Sequence, residues 1–164
     1  MSKVITATFK TRESAESAIA RLERVGVQEN QISVVVSENT RDTAFNLERD
    51  NKSDKGIAYG GVAGGLVGAV VAGLLSAGAV AIPAVGLVVS GWLVSAAAGA
   101  GAGALTGGFL GGLIGTAIPE YEAKMYEGAL KDGAILLAVK AKDSEQAKMI
   151  EGLLEEVDAH HIAA

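Results

Sequence analysis

The spacing of apolar positions changes several times along this chain, and each change marks a different element. In residues 4–9, Ile5, Ala7 and Phe9 alternate with Thr6 and Thr8, which is the period-two pattern of a half-buried strand. From Ala15 the period lengthens to that of a helix: Ala15, Ala18, Ile19, Leu22 and Val25 fall on one stripe. Gly26 follows where a left-handed residue commonly ends a helix. Residues 32–36 (Ile-Ser-Val-Val-Val) predict a second strand. At the other end, the Asp132-Gly133 turn pair introduces a mostly apolar run of strand length over 134–141. Asp143 is placed to cap a helix in which Ala147, Ile150, Leu153, Leu154 and Val157 recur at helical spacing, and a short strand around 160–162 closes the chain.

Each end therefore reads β-α-β. Halves of about fifty residues are individually too small to bury a good core, so the economical solution joins them into one ferredoxin-like α+β domain. This division gives residues 1–37 as the first half, 38–55 as a polar linker, 56–118 as an apolar insert, and 119–164 as an amphipathic helix plus the second half. Joining the halves requires both ends of the insert to emerge close together, which two antiparallel helices achieve and a single span does not.

The insert is unusual in composition. Of the 33 charged side chains (14 basic and 19 acidic), none lies between Lys55 and Glu120, and 18 of the 22 glycines do. Those glycines are in register: Gly56, Gly60, Gly64 and Gly68 repeat every four residues, as do Gly99, Gly103, Gly107, Gly111 and Gly115. A glycine costs a water-exposed helix up to ~1 kcal/mol relative to alanine, so helices this rich in glycine need compensation. Lipid forces backbone groups to bond internally, and small residues at every fourth position let helix backbones approach closely. A glycine-zipper hairpin is predicted: a first long helix over 57–81, a turn at Pro83 and Gly86, a short helix before about residue 98, and a second long helix to about 118. Surplus glycines beside both stripes predict a second packing face between subunits, hence a homo-oligomer.

Charge then orients the insert. Arg49, Lys52 and Lys55 precede it, Lys124 and Lys131 follow it, and the Ala81–Gly86 turn has no charge. A membrane hairpin so flanked keeps both termini in the cytoplasm, at the cytoplasmic (inner) membrane. The absence of an apolar signal core near the N-terminus agrees with this. Tyr59, Trp92, Tyr121 and Tyr126 are the candidate interface anchors.

Little in the chain suggests catalysis. Gly99–Ala104 formally matches a dinucleotide fingerprint, but it sits inside a longer glycine repeat and lacks the strand that should precede it. There is no phosphate-cradling loop sequence, no cysteine, and no basic patch for nucleic acid. The two histidines, His160 and His161, have no second cluster of metal ligands beside them in sequence. No cofactor, metal or small-molecule substrate is expected.

Several stretches are similar to one family. The run Ala81-Ile82-Pro83-Ala84-Val85-Gly86, the glycine repeat after it, Ile118-Pro119-Glu120-Tyr121-Glu122, and Tyr126-Glu127-Gly128-Ala129-Leu130-Lys131-Asp132-Gly133 before an apolar strand resemble the bacterial general-stress and low-temperature-induced proteins. The N-terminal strand, Ala-rich helix and Val-rich strand resemble them too. The resemblance implies a small stress-associated membrane protein without enzymatic activity, and supplies no catalytic residues. Three functions follow as expectations: a zipper oligomer that stabilises or shapes the bilayer, a hydrophobic pore, or a soluble ring or shell in which many copies bury one another's apolar hairpins.

Overall fold

A computed structural model describes residues 3–44, 79–82, 86–95 and 120–163. The elements in chain order are β1 (Lys3–Phe9), α1 (Arg12–Arg24), β2 (Ile32–Ser37), α2 (Glu38–Ala44), β3 (Val80–Ile82) and β4 (Leu87–Val89). They are followed by α3 (Glu120–Lys131), β5 (Ile135–Ala141), α4 (Ser144–Glu155) and β6 (His160–Ala163). The chain is α+β, and its six strands form one sheet in the order β3-β4-β2-β5-β1-β6 with every neighbouring pair antiparallel.

Local chemistry explains most boundaries. Thr11 caps α1, its hydroxyl accepting from the Ser14 amide, and Asp143 caps α4 by accepting from the Gln146 amide at 2.7 Å. Gly26 ends α1 in the left-handed region at φ +87°, and Gly133 does the same after α3 at φ +95°. The stretch expected to be a linker begins instead with a helix. The Ser37 hydroxyl accepts from the Thr40 amide at 3.1 Å, starting α2 directly from the end of β2.

Both faces of the sheet are covered, which is why its central strands read as nearly continuous apolar runs. On one face, Ile5, Ala7 and Phe9 of β1, Ile32, Val34 and Val36 of β2, and Ile135, Leu137 and Val139 of β5 pack with Ala18, Ile19 and Leu22 of α1 and Ile150 and Leu154 of α4. On the other, Val35, Leu136 and Ala138 meet Tyr126 and Leu130 of α3, together with Leu93. At ~25 cal/mol per Å² of apolar surface, a fully buried Leu, Ile or Phe contributes about 1.5–3 kcal/mol, so two such layers hold this body together.

Candidate functional site

The sequence places the unusual chemistry of this chain in its neutral segment, so the place where that segment joins the body is the candidate site. Two joints are built into the sheet by residues of the neutral segment itself, and a third is made by the helix that follows it.

The first joint is a β-hairpin. Val80, Ala81 and Ile82 pair with Val89, Val88 and Leu87, and Leu87, Val88 and Val89 pair in turn with Ser37, Val36 and Val35 of β2. Gly86 turns the chain at φ +65°, and its carbonyl accepts from the Glu38 amide at 2.9 Å. Leu87 and Val89 enter the α3 side of the core, and Val88 enters the α1/α4 side. The turn at Gly86 therefore joins two short strands; Pro83 lies outside the described residues. This corrects the expected long apolar hairpin at its centre. The first expected helix does not run to residue 81, because Val80 and Ala81 belong to the sheet, where branched side chains fill core positions on a pleated surface.

The second joint continues β4 along β2. The Ser90 amide donates to the Val34 carbonyl at 2.9 Å, and the Ser90 hydroxyl donates to the same carbonyl at 3.1 Å. That hydroxyl also accepts from the Val34 amide at 3.3 Å, so Ser90 is fully buried with its polar atoms satisfied. Gly91 lies against β2 at φ +74°, where a Cβ would collide with the Ile32 carbonyl and with Ser33. The Leu93 amide then donates to the Ser33 hydroxyl at 3.1 Å, and the Trp92 indole N–H donates to the Gln31 carbonyl at 3.1 Å. Leu93, Val94 and Ser95 are helical, at the place where the sequence predicts a short helix before about residue 98, and the Val94 and Ser95 amides donate to the Gly91 and Trp92 carbonyls.

The third joint is α3. Its Tyr126 is 1% exposed, and its hydroxyl lies 3.0 Å from the Thr6 hydroxyl and donates to the His161 carbonyl at 2.9 Å. One aromatic side chain thus ties α3 to both β1 and β6.

These placements change the reading of the candidate anchors. Tyr126 is a core residue, because its ring fills the sheet–helix interface and its hydroxyl is spent on internal bonds. Trp92 is half-buried against the same core, with its indole N–H bonded inward. Tyr121 is 64% exposed on the first turn of α3. Tyr59 and the repeat glycines Gly56, Gly60, Gly64, Gly68, Gly99, Gly103, Gly107, Gly111 and Gly115 lie outside the described residues.

Sequence reasoning missed Ser90, Gly91 and Ser33. The signal available was a buried serine and a glycine interrupting a run of branched residues, Leu87-Val88-Val89-Ser90-Gly91-Trp92.

The geometry at the far end of the sheet is less organised. An open groove of about 400 Å³ lies between β6 and the end of α3, lined by Thr8, Lys10, Asp132, Ala134, His160 and His161 among others. His161 adopts φ +50°, and Asp158 before it φ +58°. Among the described residues there is no group of three or more His, Asp or Glu side chains arranged to hold a metal ion.

Among the described residues, no helix is long and apolar enough to cross a membrane. Comparison with protein-family models, with curated proteins and with solved structures returns no match for this chain.

Proposed function

We propose that this is a non-enzymatic, stress-associated membrane protein. Its glycine-zipper segments pack against those of other copies and enter the bilayer from the cytoplasmic side, stabilising or shaping it. The α+β body is the rigid base of those segments. The ferredoxin-like reading of that body is supported by the order β2-β5-β1-β6, in which the two β-α-β halves interleave with all neighbours antiparallel. The stress association rests on the family resemblance alone.

One observation carries the membrane part: residues 79–95 are sewn into the same sheet as both ends of the chain. The neutral run is thus divided into two stretches, 56–78 and 96–119. The second lies between Ser95 and Glu120, and the first, preceded by the polar residues 45–55, lies between Ala44 and Ala79, all four on one body. A segment whose two ends stay on one side of a bilayer crosses it an even number of times. Two full crossings need about 40 apolar residues, and these stretches have 23 and 24. Within the membrane reading each stretch then enters from one side, and lipid has a physical role in it: satisfying the preference of glycine-rich helices for a dry, closely packed setting. It also leaves no continuous path for ions, which disfavours the pore.

Fractionation of cells expressing the full chain tests this. The protein is expected in the membrane pellet after carbonate extraction, and crosslinking in mild detergent is expected to give species larger than a monomer. Recovery in the high-speed supernatant as a large particle would favour the soluble ring or shell instead.

A further inference from the structure

Resting on the membrane reading above, we infer that one end of the sheet, rimmed by Lys3, Lys140 and Lys142 beside Trp92, is the face that docks on an anionic lipid surface. Strand register brings these lysines together. Lys3 pairs with Ala141 and Val4 with Lys140, so the start of β1 and the end of β5 share one end of the sheet, and Lys142 extends from it. Ile32 pairs with Val139, which puts the start of β2 at the same end. The Gln31 side-chain amide donates to the Lys140 carbonyl at 2.7 Å, and the Gln31 carbonyl receives the Trp92 indole N–H. The Lys140 ammonium lies 5.9 Å from the centre of the Trp92 ring, and all three lysines are exposed.

Two further facts give this end its occupant. Ser95, the last described residue before the second glycine-rich stretch, lies in the helical residues 93–95 directly after Trp92, and its amide donates to the Trp92 carbonyl at 3.2 Å. Ala79, which follows the first stretch, extends from β3 in the same direction, because Val80 pairs with Val89 and the next step along β2 is toward Val34. Chain from both neutral stretches therefore meets the body at the lysine-rimmed end. A bilayer that receives those stretches lies against this rim, where ammonium groups and a tryptophan match anionic headgroups and the interfacial zone. By strand alternation Lys140 falls on the Trp92 face with Leu136 and Ala138, while Lys3 falls on the α1/α4 face with Ile5, where Asp143 and Glu145 begin α4. Glu29 lies in the turn just before β2. Chain-wide charge is −5, so attraction to an anionic surface has to come from a local arrangement.

The test is flotation of the full-length protein with vesicles of phosphatidylcholine alone and with about a third phosphatidylglycerol. The rim triple variant Lys3→Gln/Lys140→Gln/Lys142→Gln is compared with a charge-matched control, Lys10→Gln/Lys131→Gln/Lys148→Gln, after circular dichroism shows both folded. The wild type is expected to favour the anionic vesicles, and the rim variant to lose on the order of a hundredfold in that preference while the control keeps it. Equal binding of wild type to both vesicles overturns the rim and leaves membrane insertion standing. Equal losses in the two triple variants overturn it also, because net charge and not placement would then decide. Binding to neither vesicle overturns the membrane reading and the rim with it.

Discussion

The hydroxyl of Ser90 forms two hydrogen bonds with the backbone of Val34, donating to its carbonyl and accepting from its amide. That contact fastens the middle of a 64-residue uncharged run to the second strand of the sheet, and several consequences can be measured.

Ser90→Ala leaves the Val34 amide, which faces β4, without its partner in a fully buried setting. An unsatisfied buried donor costs about 1–3 kcal/mol, and the variant should lose that much stability in urea denaturation at unchanged m-value. Unaltered stability would mean that residues 79–95 do not hold this position.

Gly91 and Gly128 should respond oppositely to alanine. Gly91 combines a left-handed backbone with atoms of Ile32 and Ser33 where a Cβ would stand, so Gly91→Ala should destabilise by about 3 kcal/mol or more. Gly128 lies in α3 with open space around its Cβ position, and Gly128→Ala should stabilise by up to ~1 kcal/mol through helix propensity. Thermal melts of the two variants check both signs.

Tyr126→Phe removes a hydroxyl that holds Thr6 and the His161 carbonyl while keeping the ring in the core. The expected loss is about 1–2 kcal/mol, accompanied by faster amide hydrogen exchange along β6 and little change along β2. In a double-mutant cycle, Thr6→Val should be less than additive with it.

Much of this architecture is legible in the sequence. The alternation at Ile5, Ala7 and Phe9 sets the face of β1, the stripe through Ala18, Ile19 and Leu22 sets the buried side of α1, and Asp143 and Gly26 mark helix ends by their own chemistry. β3 and β4 are not legible, for a physical reason. Strands of three residues show less than two periods of alternation, and here they sit in a background with no charged residues to reveal the period. Pro83 and Gly86 predict a turn correctly at Gly86, but a turn does not say whether it joins strands or helices. Tyr126 and Leu130 sit four apart on α3, a core spacing, yet the acids around them suggest a solvated helix. The role of Ser33 is hidden in the same way: within β2 it reads as an interruption, whereas its hydroxyl receives the Leu93 amide.

One-sided entry, as proposed, keeps residues 79–82 and 86–95 on the same side of the membrane as the rest of the sheet. The chain contains no cysteine, so single cysteines introduced at Val80, Ser95 and Met149, each exposed, report their own positions. In sealed membrane vesicles of known orientation, a membrane-impermeant maleimide should label all three from the cytoplasmic face and none from the other. Labelling of Val80→Cys and Ser95→Cys only from the face opposite Met149→Cys would rule out one-sided entry and restore a hairpin that crosses the bilayer.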